Sequence, residues 1–171
     1  MGHDFWRCYL YNQLKTNVDT MKNFDLFECK KFRSVYLAAE TETEYTGEPI
    51  TGAKEAADFF RPLFGDTILA VESIFALCLN SSLKPLSVSK ISTGGLTATI
   101  CEPIVVAKLA VDTLAKAVIL CHNHPGGSTN ASAADINLSK KVKNTLGIFS
   151  CELADHIILT ETDYFSMRGL Y

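Results

Sequence analysis

A short, wholly apolar segment, AVILC at residues 117–121, most constrains how this chain can fold. Its length and branched residues predict a buried β-strand. A turn-rich loop follows it, then a helical pattern from Ser132 to Gly147, and then a second strand pattern at residues 151–160. A buried sheet needs helices to cover it, so this alternation predicts the α/β class.

The segments on either side extend the same alternation. TGAKEAADFFRPLF has a helical apolar stripe with Thr51 as a candidate cap. TILAVESIFALCLN is an apolar run that predicts a buried strand, and LKPLSVSKIS and TGGLTATI predict two more. EPIVVAKLAVDTLAK predicts a helix with Pro103 in its first turn. The closing DYFSMRGLY predicts a final hairpin arm or turn.

The chain's 171 residues suit one globular domain with a small extension. TGEPITG is turn-forming and is the best candidate boundary, so we expect an N-terminal extension over residues 1–50 and a single domain over residues 51–171. The net charge is −3, without the basic stripe that nucleic-acid-binding proteins usually carry. The densest basic cluster, Lys140, Lys141 and Lys143, is interpreted as a solvated helix face.

The six cysteines do not indicate a structural zinc knuckle, because no two of them form a C-x-x-C pair. Several lie inside apolar runs, where a cysteine behaves as a small hydrophobic residue. The start of the sequence lacks the pattern of a signal peptide, and no apolar run reaches membrane-spanning length. We therefore expect a reduced, cytoplasmic protein without a membrane partner.

The loop CHNHPGGSTNASAAD holds the residues that most strongly suggest chemistry. His122 and His124 follow a strand, and residues i and i+2 of extended backbone point to the same side. Two imidazoles can therefore converge on one ion. Each histidine alone could equally be a satisfied polar residue at a strand end.

A catalytic zinc typically takes three protein ligands and leaves a fourth position for water. Asp135 is the natural third ligand, because Gly126 and Gly127 allow the loop to fold back and bring the next helix beside the strand end. Ser132 and Asp135 also match the capping box S-x-x-[DE], and taken alone that structural interpretation is favoured.

Hydrolysis at such a site also needs a group that shuttles protons, and a glutamate that does not bind the metal is the usual one. Glu72 is the candidate, because it lies within the apolar run LAVESIF, where a carboxylate is costly without a polar partner. A salt-bridged residue near a sheet end is the alternative interpretation.

The whole pattern resembles a known signature. His122-x-His124, seven residues, Ser132, two residues and Asp135, with an upstream glutamate, is similar to the JAMM metalloprotease motif of MPN (JAB) domains. CHNHPGG, ADHIILT and the closing YFSMRGL resemble, more narrowly, the bacterial RadC family. The resemblance runs from about Thr51 to Tyr171 and implies a curved mixed sheet flanked by helices, similar to the cytidine-deaminase architecture.

The resemblance also implies roles for individual residues. His122, His124 and Asp135 would bind one zinc ion per chain. Glu72 would be the general acid/base, and Ser132 would donate a hydrogen bond to the developing oxyanion. Asp155-His156 would lie in a late strand, for packing or to support the metal ligands.

These expectations favour a JAMM-type zinc hydrolase that cleaves a peptide or isopeptide bond in a peptide or protein substrate. The alternative is a RadC-like DNA-repair or mobile-element accessory protein that associates with DNA and whose metal is structural or inert. A deaminase is excluded, because the chain lacks H-x-E followed by P-C-x-x-C. A catalytically inert scaffold is disfavoured, because all five positions of the motif are present.

Overall fold

Helices and strands alternate along the described part of the chain, which in this computed structural model comprises residues 47–94 and 101–171. The elements are α1 (Ala53–Phe64), a 3-10 helix (Gly65–Leu69), β1 (Ser73–Leu79), β2 (Pro85–Thr93), α2 (Pro103–Asp112), β3 (Ala117–Asn123), α3 (Ala133–Ile148), β4 (Glu152–Leu159) and β5 (Tyr164–Ser166). None of the helices in these two ranges is long and apolar enough to cross a membrane.

The strands described in these ranges form one five-stranded sheet in the order β2-β1-β3-β4-β5. β3 and β4 are parallel, with α3 as the crossover between them, whereas the other neighbouring strands are antiparallel. All seven residues of β1 and all seven of β3 are buried, because both strands lie inside the sheet and are covered on both faces. The expected α/β class with a mixed sheet flanked by helices is confirmed.

Each face of the sheet carries its own hydrophobic core. On one face, α1 packs through Phe60 and Phe64 against alternate residues of the central strands, including Phe75 and Ile119. On the other face, α2 and α3 pack against the intervening residues, such as Leu120. This alternation decides the position of the site, because every second residue of β3 points toward α3.

Two details of the expected elements were wrong. The run TILAVESIFALCLN does not form one strand, because its first residues belong to the 3-10 helix Gly65–Leu69 and β1 begins only at Ser73. The N-cap of α1 is Gly52 rather than Thr51, and no side chain caps that helix. The last residues of TGGLTATI and the N-terminal extension through residue 46 lie outside the described ranges, so the expected extension stays a prediction.

Candidate metal centre

β3 brings two histidines to the end of the sheet on the side of α2 and α3. His122 follows Val118 and Leu120 on that face, and His124 comes two residues later, where its backbone N–H donates to Leu159 O over 2.9 Å. The Nε2 atoms of the two imidazoles lie 2.9 Å apart. The expected convergence of the two rings is therefore present.

The loop after β3 folds back as the glycines suggest. Gly127 donates its N–H to His124 O over 3.0 Å and has a φ of 77°, a backbone conformation that glycine adopts without steric cost. α3 then begins beside the strand end. Its first turn places Asp135 Oδ1 at 3.4 Å from His122 Nε2 and Oδ2 at 3.8 Å from His124 Nε2.

Ser132 and Asp135 also form the capping box that the sequence suggested. Ser132 Oγ accepts the backbone N–H of Asp135 over 3.2 Å, and Asp135 Oδ2 accepts the backbone N–H of Ser132 over 2.8 Å. The two interpretations of Asp135 are thus compatible, because the cap fixes the carboxylate in an orientation that faces the histidines.

The hydrogen bonds of His124 determine which of its nitrogens carries the proton. His124 Nδ1 lies 2.7 Å from the carbonyl oxygen of Ser128, and a carbonyl oxygen only accepts. Nδ1 therefore carries the hydrogen, and in the neutral ring Nε2 presents a lone pair to the site.

His122 is buried, with 2% of its surface exposed. Burial lowers the pKa of its imidazole to about 4; the Asp135 carboxylate opposes this shift, and His124 adds to it. At neutral pH the ring is uncharged, as a metal ligand has to be.

These three side chains fit a divalent cation. One ligand atom from each of His122, His124 and Asp135 lies within 4.8 Å of the other two. Two imidazole nitrogens and one carboxylate oxygen are a donor set that suits zinc, with a further coordination position left open. The set can therefore hold a metal ion, as the sequence predicted.

Glu72 lies beside this group rather than inside a strand, which corrects the sequence-based placement. It is half-buried and immediately precedes β1. A cavity of about 340 Å³ is lined by Glu72, His122 and Asp135, together with Glu102 and Lys141. The predicted acid/base thus shares a cavity with two of the predicted ligands. Ser132 does not line this cavity, and its position is given by its hydrogen bonds to Asp135.

Asn123, between the two histidines, is a residue whose role the sequence analysis missed. It points to the opposite face of the sheet, where its Oδ1 accepts the backbone N–H of Ser73 over 2.7 Å. Its Nδ2 donates to the carbonyl oxygens of Ile68 and Val71 over 2.7 and 3.0 Å. Asn123 therefore fixes the backbone on both sides of Glu72. The alternation of side chains along H-N-H indicates the face of the sheet on which Asn123 lies, but not its hydrogen-bond partners.

His156 and Asp155 in β4 take different roles. His156 Nε2 lies 2.8 Å from His122 Nδ1, and His156 Nδ1 lies 2.7 Å from Ser139 Oγ in α3. Asp155 instead accepts hydrogen bonds from Ser166 Oγ and from the backbone N–H of His156, both over 2.7 Å. Only His156 of this pair therefore contacts a candidate metal ligand, while Asp155 holds β4 and β5 together.

Comparisons with known proteins identify the family of the chain. The chain matches the model of the RadC-like JAB domain over residues 50–170. It is similar to proteins named UPF0758 protein from Flavobacterium johnsoniae (40% identical, 68% of this chain and 50% of the relative), Porphyromonas gingivalis (35%, 70% and 52%) and Chlorobium luteolum (32%, 74% and 56%). The chain spans about half the length of these curated relatives. Because the family model covers most of the sequence, the chain belongs to the RadC family and carries its JAB (MPN) domain.

Proposed function

We propose that this chain is a zinc-dependent hydrolase of the JAMM type that cleaves a peptide or isopeptide bond. The observation that carries the proposal is the position of Glu72, which lines one cavity with His122 and Asp135. A set of metal ligands alone suits a structural site as well, but a carboxylate beside an open coordination position suits catalysis.

His122, His124 and Asp135 would hold the ion. When bound, zinc lowers the pKa of a water molecule toward neutrality and polarises the carbonyl group of the scissile bond. The protein's task is then to orient the ligands. The capping box fixes Asp135, and the Ser128 carbonyl fixes the ring of His124.

Glu72 would accept the proton that the attacking water loses and return it to the nitrogen of the leaving amine. Its backbone is held in place because its carbonyl oxygen accepts the N–H of Gly94 over 2.7 Å and Asn123 binds the residues on either side. A carboxylate held this way needs little reorganisation to reach the same reacting atoms in each cycle.

Ser132 would donate its hydroxyl hydrogen to the oxygen that gains negative charge. Ser132 Oγ acts as an acceptor toward Asp135 N, so its single hydrogen is left for another acceptor. The same residue can therefore cap α3 and stabilise the oxyanion.

The test of this proposal is hydrolysis by the zinc-loaded full chain of a quenched fluorogenic peptide library and of peptides joined through a lysine isopeptide bond. We expect cleavage of at least one class, and loss of cleavage on chelation and in Glu72→Gln. Cleavage that survives either treatment in a contaminant-free preparation would contradict the proposal.

The nucleic-acid-associated alternative makes a different set of predictions. If the metal is structural or inert, Glu72→Gln should have no effect on the function of the protein. DNA binding would produce a mobility shift of duplex DNA that weakens as the salt concentration rises. A salt-dependent shift without hydrolysis would favour this alternative.

A further inference from the structure

A continuous series of hydrogen-bonding contacts runs from the loop after β3 through three histidines to α3. The contacts are Ser128 O to His124 Nδ1 (2.7 Å), His124 Nε2 to His122 Nε2 (2.9 Å), His122 Nδ1 to His156 Nε2 (2.8 Å), His156 Nδ1 to Ser139 Oγ (2.7 Å) and Ser139 Oγ to Asp135 O (2.7 Å). We call this series the histidine relay.

The histidine relay has fewer hydrogens than contacts. Both of its ends are backbone carbonyl oxygens, which only accept. Each of the three neutral imidazoles supplies one N–H and the hydroxyl of Ser139 supplies one O–H, so four hydrogens serve five contacts. One contact in the relay must therefore lack a hydrogen.

The two ends take one hydrogen each, which leaves two hydrogens for the three inner contacts. One arrangement keeps both nitrogens of the fully buried His156 paired. Ser139 Oγ lies 2.7 Å from the carbonyl oxygen of Asp135, so the hydroxyl donates there and accepts from His156 Nδ1–H. His156 Nε2 then has a lone pair, which accepts the Nδ1–H of His122. The contact between His122 Nε2 and His124 Nε2 is left without a hydrogen.

Two facing lone pairs at 2.9 Å, with a carboxylate oxygen 3.4 Å from one of them, repel one another unless a cation lies between them. We propose that His156 and Ser139 are positioning residues that hold His122 in the Nδ1–H tautomer, so that its Nε2 is available to the metal. The inference rests on the metal binding of the proposed function and extends it to two residues that do not bind the ion.

Burial prevents the groups of the histidine relay from exchanging their donor and acceptor roles. His156 and Ser139 have exposed fractions of 0%, so bulk water cannot replace either partner as a donor or acceptor. A buried donor left without an acceptor is destabilising, so the Nδ1–H tautomer of His122 is favoured only while His156 Nε2 accepts that hydrogen. Removing the acceptor on His156 should therefore shift His122 toward the Nε2–H form.

Zinc affinity of the full chain, measured by competition with a chromophoric chelator, tests the relay. His156→Leu removes the acceptor, and Ser139→Ala removes the group that orients His156; each should weaken zinc binding about tenfold or more. His156→Gln keeps a carbonyl acceptor for His122 and should restore affinity close to that of the unchanged protein.

Thr145→Ala is the matched control. Thr145 lies on the same helix as Ser139, and its hydroxyl likewise donates to the carbonyl four residues earlier, Lys141 O, over 2.8 Å, but Thr145 is only partly buried and this hydrogen bond is exposed. This control should leave zinc affinity unchanged. Circular dichroism would establish that each variant is folded, and Ser139→Ala keeps the test decisive where His156→Leu does not fold.

The tautomers are observed directly in two-bond proton–nitrogen NMR spectra of protein labelled with nitrogen-15 at its four histidines. We expect His122 to be Nδ1-protonated with and without zinc. Nε2 protonation of His122 in the metal-free protein, or unchanged zinc affinity in folded His156→Leu or Ser139→Ala, would overturn the relay. Nδ1 protonation in a protein that binds no zinc would instead uphold the relay and contradict the proposed function.

Discussion

The Nε2 atoms of His122 and His124 lie 2.9 Å apart at the end of β3. The Nδ1–H of His124 donates to a carbonyl oxygen, and the Nδ1–H of His122 donates to His156 in the histidine relay. No hydrogen is therefore left for the contact between the two Nε2 atoms. The two nitrogens are therefore arranged for a shared cation.

Asp135→Asn should lower zinc affinity by at least about tenfold, because an amide oxygen is a weaker ligand than a carboxylate. The amide oxygen can still accept the N–H of Ser132, so the thermal stability of the metal-free protein should change little. Chelator competition and thermal melts measure the two effects.

The matched control for this change is Asp112→Asn in α2, where the carboxylate pairs with Lys108 on a half-exposed helix face. It removes the same charge away from the site and should retain full zinc affinity. Equal affinity of the Asp135→Asn protein and this control would exclude Asp135 as a ligand.

Glu72→Gln should keep the zinc content of the unchanged protein while lowering the rate of hydrolysis by about 100-fold or more, the usual contribution of a general acid/base. Elemental analysis and the fluorogenic peptide assay measure the two quantities on one preparation. Glu102→Gln is the control, because Glu102 lines the same cavity without an assigned role. Unaltered turnover in Glu72→Gln would remove Glu72 from its proposed role.

Asn123→Ala should lower the free energy of unfolding by about 2 kcal/mol or more, because it leaves the buried N–H of Ser73 without its acceptor and removes both donor contacts of the amide. Urea denaturation of the metal-free protein measures this loss. The exposed Asn144 on α3 provides the control substitution to alanine, which should have a small effect. A loss no larger than that of the control would show that the backbone around Glu72 does not depend on Asn123.

The metal-free protein should lose stability as the pH falls from about 6.5 toward 4. Burial lowers the pKa of His122 to about 4 in the folded chain from its ordinary value of 6.5, and burial lowers the pKa of His156 in the same direction. In this window the unfolded chain binds more protons than the folded one, so stability is full above pH 6.5 and decreases as the pH falls.

The contribution of His122 is on the order of 3 kcal/mol. Urea unfolding in the presence of a chelator, at several pH values between 7 and 4, measures the change. A free energy of unfolding that stays level down to pH 4.5 would contradict the burial of neutral His122.

The sequence predicted the parts of the fold that follow local patterns. AVILC and CELADHIILT form strands because continuous apolar and branched residues fit a buried sheet, and Pro103 begins its helix at the position where proline costs no hydrogen bond. The run around Glu72 was misassigned, because its apolar residues fit a 3-10 turn and a strand equally well.

The grouping of His122, His124 and Asp135 was predictable, because their spacing puts three possible donors near one strand end. The roles of Ser139 and Asn123 were not, since both depend on contacts between distant segments. Ser139 and the His156 that it contacts are 17 positions apart in the sequence, and Asn123 and the Ser73 that it contacts are 50 positions apart. A single sequence carries no local signal for such pairings.

Elemental analysis of the full chain, purified at neutral pH without chelator, is the decisive test of whether His122, His124 and Asp135 bind zinc. We expect about one zinc per chain, and loss of that zinc in a folded His122→Ala protein. The unchanged protein carrying no transition metal, even after incubation with zinc and removal of the excess, would contradict it.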